Sequence, residues 1–116
     1  MPVKLSMILL VDDDATVRET SADMLQELGY EVRQADCGTV ALAMLEQDGF
    51  DVMVTDIRMP GMSGVELSEL AATRHASLKI ILMSGYYKPQ QLHRRFLQKP
   101  FRTLDLDRAI RAELQA

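Results

Sequence analysis

Cysteine is almost missing from this chain: Cys37 stands alone. An intrachain disulfide and a thiolate metal cluster are therefore excluded, and a reducing compartment fits. No apolar run approaches ~20 residues, so no segment reads as a membrane-spanning helix. The amino terminus, Met-Pro-Val-Lys-Leu-Ser, has one positive charge and runs on into an acidic triplet, which is not a signal-peptide pattern. Excess positive charge is also lacking. Lys and Arg number 13 against 17 Asp and Glu, a net charge of −4. Tight binding to a nucleic-acid backbone needs a basic surface, so that class is disfavoured. Internal repeats, linkers and low-complexity stretches are absent as well.

What is present is an ordinary globular composition, 47% apolar and 26% charged over 116 residues. That length predicts one domain, residues 1–116, with no output domain in this chain. The charge is uneven. Residues 1–85 carry six Lys/Arg and fourteen Asp/Glu, net −8, while residues 86–116 carry seven Lys/Arg and three Asp/Glu, net +4.

Two kinds of segment alternate. Leu5 to Val11, Phe50 to Thr55 and Lys79 to Met83 are short apolar runs that stop abruptly at Asp12, Asp56 and Ser84. Such runs fit strands buried on both faces. Tyr30 to Ala35 alternates and reads as a half-exposed edge strand, and Phe96 to Gln98 is a shorter candidate. Helical patterns cover Ala15 to Leu28, Thr39 to Gln47, Ser63 to Arg74 and Leu104 to Leu114. Asp14 suits the first as N-cap and Gly29 as its C′ stop. Strand–helix alternation predicts an α/β fold: a doubly wound parallel sheet with helices on both faces. Only fourteen residues separate Ser84 from Lys99. A helix from Pro89 to Arg95 spans ~10 Å, less than the ~16 Å of a five-residue strand. A shortened or irregular fourth helix is expected there.

The polar residues gather where such sheets bind ligands, at the carboxyl ends of strands. Asp12 and Asp13 follow the first strand, Asp56 ends the third, Ser84 the fourth, and Lys99 follows the fifth. Converging carboxylates repel and call for a cation. Mg²⁺ suits an open site of carboxylates, waters and a phosphoryl oxygen. An ammonium and a hydroxyl opposite add contacts for a transferring phosphoryl group. An aspartate in such a site can itself be the nucleophile.

Four stretches together resemble a response-regulator receiver domain of two-component signalling, in the CheY-like superfamily. They are Ile8-Leu9-Leu10-Val11-Asp12-Asp13-Asp14, Thr55-Asp56-Ile57-Arg58-Met59-Pro60-Gly61-Met62-Ser63-Gly64, Met83-Ser84-Gly85-Tyr86 and Gln98-Lys99-Pro100-Phe101. The resemblance spans nearly the whole chain, in order. It implies five parallel strands in the order 2-1-3-4-5 with five helices, the fourth shortened here. It also implies that Asp56 accepts a phosphoryl group from a kinase or phosphotransfer histidine. In that picture Asp13 binds Mg²⁺ directly, Asp12 largely through water, and the Arg58 backbone carbonyl adds a ligand. Ser84 turns toward the phosphoryl group, Lys99 pairs with it, Phe96 swings inward, and Arg58 and Tyr86 tune the phosphate lifetime. The Lys99–Pro100 bond is expected to be cis.

Such a domain is a cytoplasmic switch, not an enzyme; it catalyses only its own phosphorylation and dephosphorylation. Other readings are the receiver module of a hybrid histidine kinase and an aspartyl-phosphate phosphohydrolase. The latter usually carries Asp-x-Asp after its first strand. A flavin domain would need a Ser/Thr/Gly-rich loop where three aspartates stand. The plainer readings make Asp14 a cap, His75 and His93 solvated, Cys37 structural, and Met53, Met59, Met62 and Met83 packing filler. The basic residues Lys88, Arg94, Arg95, Arg102, Arg108 and Arg111 suggest a face over 88–111 that meets an acidic partner or a second copy as a homodimer.

Overall fold

Three apolar runs and two shorter or alternating edge segments become the strands of one sheet in the computed structural model, which describes residues 6–85 and 92–115. In chain order the elements are β1 (Met7–Val11), α1 (Ala15–Glu27), β2 (Glu31–Ala35), α2 (Gly38–Gln47), β3 (Val52–Asp56), α3 (Gly64–Arg74), β4 (Lys79–Ser84), β5 (Arg95–Gln98) and α4 (Thr103–Leu114). All strand pairs are parallel, in the order β2-β1-β3-β4-β5.

Strand alternation sorts the core into two layers. Leu9 and Val11 of β1, Met53 of β3, and Ile80 and Leu82 of β4 face the buried Ala41, Leu42, Leu45, Leu67 and Ala71 of α2 and α3. Ile8, Leu10, Val52, Val54, Ile81 and Met83 face the opposite way, against Ala22 and Leu25 of α1 and Leu106 and Ile110 of α4. The central strands β1, β3 and β4 are apolar over most of their length because both of their faces are covered. Burying one such Leu or Ile side chain contributes ~1.5–3 kcal/mol. The two edge strands differ: in β2 Glu31, Arg33 and Gln34 are exposed and only Ala35 is fully buried, and in β5 Arg95 and Gln98 are exposed.

Helix boundaries follow the capping chemistry. The Asp14 carboxylate accepts the Val17 N–H at 3.1 Å, and Gly29 follows α1 with φ +94°, the left-handed region glycine tolerates. Ser63 and Glu66 form a reciprocal capping box at the start of α3, at 3.1 and 3.3 Å.

Most of the segment that reads as a short helix from Pro89 lies at 86–91, outside the described residues. The part that is described corrects its far end. Residues 92–94 are not helical, and Arg95 already opens β5, where the parallel ladder pairs it with Ile81. The described end of this crossover, residues 92–94, therefore carries no helix. Among the described residues there are four helices.

Candidate functional site

Strand register assembles the site. Val11 pairs with Thr55, so Asp12, one residue on, comes beside Asp56. Asp56 pairs with Met83, and the next residue is Ser84. Ser84 pairs with Gln98, and the next residue is Lys99. Four strand ends thus deliver their polar residues to one edge of the sheet, around a cleft of about 770 Å³ lined by Asp12, Asp13, Asp56, Arg58, Gly85 and Lys99, among others.

One oxygen from each of Asp12, Asp13 and Asp56 lies within 4.8 Å of the others. At an effective dielectric of ~20, two like charges ~5 Å apart repel by about 3 kcal/mol. Lys99 relieves part of this. Its Nζ stands 2.7 Å from Asp12 Oδ2 and 3.1 Å from Asp56 Oδ1. Burial alone would push the Lys99 pKa down, but the hydrogen bond to Asp12 and the charges of Asp56 and Asp12 outweigh it and raise the pKa. Lys99 stays an ammonium. Three carboxylates against one ammonium leave two negative charges, which suits a divalent cation with oxygen ligands.

The carboxylates differ in their surroundings. Asp12 is 1% exposed and fully engaged. Its Oδ1 accepts the Asp14 N–H at 3.0 Å, its Oδ2 accepts from Lys99, and its carbonyl accepts from Arg18 Nη1 at 2.8 Å. Asp13 is exposed. Asp56 is 8% exposed, at the floor of the cleft. Burial raises its pKa above the ordinary carboxylate value; Lys99 opposes the rise, and Asp12 and Asp13 add to it.

Gly64 sets the wall behind Asp56. A Cβ there would stand 2.0 Å from the Asp56 carbonyl oxygen, so only glycine lets α3 start this close to the β3 end. Its N–H also donates to Ile57 O at 2.8 Å.

The structure brings Asp12, Asp13, Asp56 and Lys99 together, with exposed Arg58 on the rim. Ser84 is buried at the end of β4, and its carbonyl accepts the Lys99 N–H at 2.8 Å; the adjacent cleft wall is Gly85. Phe96 is half-buried against the α2–α3 core layer. Tyr86 and Lys88 lie outside the described residues. The Lys99–Pro100 bond is cis. Met53, Met59 and Met83 are buried as expected of filler, and His93 is exposed. His75 departs from the solvated reading: it is half-buried beside Glu46, 3.6 Å away, because it caps α3 against α2. The basic face is also less open than its composition suggests. Arg94 reaches Glu69 at 4.0 Å, Arg95 reaches Glu113 at 2.8 Å, and Arg111 grips Asp107 at 3.0 Å. Two contributors give no signal in the periodicity: Arg18, which holds the Asp12 carbonyl, and Gly64.

Comparison with known proteins agrees with this geometry. The family model of the response regulator receiver domain matches residues 8–111. The chemotaxis protein CheY of Pseudomonas aeruginosa is 39% identical over 88 residues, 73% of this chain and 71% of CheY. The sensor kinase CckA of Brucella abortus is 33% identical over 117 residues, 93% of this chain but 12% of CckA. Among solved structures, the chemotaxis protein CheY4 of Vibrio cholerae superimposes with a TM-score of 0.90 at 28% identity, covering 96% of this chain and 100% of that one. The response regulator TrrA of Thermotoga maritima, solved with Mg²⁺ and BeF, gives 0.88 at 30% identity, covering 95% and 100%.

A parallel sheet in the order 2-1-3-4-5 whose strand ends gather three carboxylates and a lysine matches the fold of these receiver-domain relatives. This chain belongs to the response-regulator receiver domain family of two-component signalling. It spans most of the length of CheY and a small part of CckA. Among the described residues no helix is long and apolar enough to cross a membrane.

Proposed function

We propose that this chain is a phospho-acceptor switch in which Asp56 takes a phosphoryl group from a histidine of a kinase or phosphotransfer protein in the cytoplasm. The observation that carries this is the different engagement of the carboxylates. Asp12 has both carboxylate oxygens and its carbonyl committed to protein donors, and Asp13 is exposed. Asp56 sits at the cleft floor, where the contact described for its side chain is with Lys99.

In the transfer, an Asp56 carboxylate oxygen forms the P–O bond as the P–N bond to the donor imidazole breaks, and the imidazole nitrogen keeps that electron pair. Lys99 is placed to face the oxygens on which charge spreads. Asp12, Asp13, Asp56 and the Arg58 carbonyl would hold Mg²⁺. Bound there, Mg²⁺ would offset the two negative charges left on the trio and polarise an oxygen of the arriving phosphoryl group. The TrrA structure, solved with Mg²⁺ and BeF, supports this assignment by analogy.

Phosphorylation adds charge and acceptor oxygens beside Lys99 and Ser84 and biases a two-state equilibrium. Ser84 is the hydroxyl that turns toward the phosphoryl group, and Phe96, on the next strand, is the side chain that follows it inward. Arg58 and Tyr86 tune the lifetime of the phosphate. The change is read on the side formed by β5 and α4, by a partner or a second copy, through the exposed Arg102 and Arg108. The nucleophile on β3 rather than β1 disfavours the phosphohydrolase reading.

A second reading, the receiver module of a hybrid histidine kinase, is favoured by the match to CckA along 93% of this chain. Phosphotransfer profiling of wild type and Asp56→Asn against the histidine kinases of the source organism tests both readings. Label is expected on wild type alone, passed by a separate kinase for a free-standing switch and by a kinase encoded with the module for a hybrid protein. No label from any donor would contradict the proposal.

A further inference from the structure

Arg18 lies outside the cleft, yet it is bonded to the turn that carries two of the three carboxylates. From α1 its Nη1 reaches back to the Asp12 carbonyl at 2.8 Å, and its Nε donates to Gln34 Oε1 on β2 at 3.1 Å. The Asp12 N–H donates to Ala35 O, also at the end of β2, at 3.1 Å. Both sides of Asp12 are therefore tied to the edge strand, one directly and one through the Arg18–Gln34 bridge. The Asp12 carbonyl belongs to the Asp12–Asp13 peptide. Its direction sets where the Asp13 side chain leaves the turn, and hence whether the Asp13 carboxylate reaches the oxygens of Asp12 and Asp56.

We propose that Arg18 is a positioning residue for the cation site, a clamp that fixes the Asp12–Asp13 peptide against β2 through Gln34. The metal part of this claim rests on the reading of Asp12, Asp13 and Asp56 as a Mg²⁺ site; the clamp itself does not. Residues that orient metal ligands typically influence metal affinity by ~10–100-fold. Arginine suits the task because its planar fork presents two donors in fixed directions, which a lysine ammonium does not.

The sign of the effect separates this from simple electrostatics. Arg18 is a positive charge near a cation site. Removing it should tighten Mg²⁺ binding if charge were all that mattered. The clamp requires the reverse.

The experiment is a Mg²⁺ titration followed by the NMR amide shifts of Asp12, Asp13 and Asp56, in wild type, Arg18→Met, Arg18→Lys and Gln34→Ala. All are measured well below their unfolding midpoints. Amide hydrogen exchange at Asp13 and Asp14 is recorded on the same proteins without metal. Arg18→Met is expected to weaken Mg²⁺ binding about 10-fold, Arg18→Lys to weaken it despite its unchanged charge, and Gln34→Ala to weaken it by a smaller factor. The Asp13 and Asp14 amides are expected to exchange faster in Arg18→Met. Should Arg18→Met not fold, Arg18→Lys and Gln34→Ala carry the test. Mg²⁺ affinity at or above that of wild type in the variants would overturn the proposal. Failure of the wild type to bind Mg²⁺ would overturn the metal reading instead. The exchange rates then decide the clamp: faster exchange upholds it and unchanged exchange refutes it.

Discussion

Lys99 Nζ lies 3.1 Å from Asp56 Oδ1, so a residue from the basic carboxyl-terminal stretch completes a site whose acids come from the amino-terminal half. The same ammonium stands 2.7 Å from Asp12, which is 1% exposed. One cation thus bridges two carboxylates held by neighbouring strands.

Removal of that bridge should leave two poorly solvated carboxylates without their counter-charge. Lys99→Ala is expected to lower metal-free stability by about 3 kcal/mol, and Mg²⁺ should restore more stability to this variant than to wild type. Urea unfolding with and without Mg²⁺ measures both. Equal Mg²⁺ responses in the two proteins would argue against a shared cation site.

Asp56 should act in the opposite direction. Burial raises its pKa in the folded state, with Lys99 opposing. A group with a raised folded pKa contributes stability that is complete below its unfolded value, ~3.9 for aspartate, and lost as pH rises through the folded value. At neutral pH without metal, the ionised Asp56 therefore weakens the fold. Asp56→Asn should unfold at higher temperature than wild type in metal-free buffer at pH 7, with the difference closing toward pH 3.5. Thermal melts across that range check the sign.

Gly64 gives a test of close packing. Gly64→Ala puts a Cβ against the Asp56 carbonyl, where backbone would have to move. A loss of about 2–3 kcal/mol is expected, together with weakened Mg²⁺ binding. Gly49 has open space around a notional Cβ, so Gly49→Ala should stay within ~0.5 kcal/mol of wild type. Chemical denaturation of the pair makes the comparison.

Tyr30, the residue before β2, reaches α4 through its hydroxyl, 3.1 Å from Asp107. Burial, first, and then the Asp107 hydrogen bond raise its pKa. Its stabilising contribution is present below the unfolded value of ~10 and is lost as pH rises through the folded value. Tyr30→Phe should cost about 1 kcal/mol at pH 7 and should flatten part of the stability loss above pH 10. Denaturation at pH 7 and pH 11, with tyrosinate absorbance as the titration readout, checks this.

The fold and the acid–lysine constellation were legible because they follow simple periods. Runs such as Ile8 to Val11 and Ile80 to Met83 are apolar at every position, which marks strands covered on both faces. Each stops at a polar residue, and parallel register carries those stops to one edge. Arg18 was not legible, since nothing in the α1 pattern reports that its guanidinium turns back to the Asp12 carbonyl and across to Gln34. Gly64 stood inside a recognisable stretch, but its reason, contact with the Asp56 backbone, exists only after β3 and α3 pack. The sequence pattern alone presents Arg94, Arg95 and Arg111 as open positive charge. Glu69 and Glu113, the partners of Arg94 and Arg95, sit on helices whose facing is a tertiary matter, whereas Asp107 meets Arg111 one turn along α4, an i,i+4 spacing present in the sequence. His75 differs from its solvated sequence reading because Glu46, its neighbour, lies on another helix, α2.

Intact-protein mass spectrometry after incubation with acetyl phosphate tests the central claim most directly. With Mg²⁺, wild type should gain the mass of a single phosphoryl group, mapped to Asp56. Asp56→Asn and wild type held in a chelator should gain none. A phosphoryl group found on another residue, or one gained equally without Mg²⁺, would contradict the account.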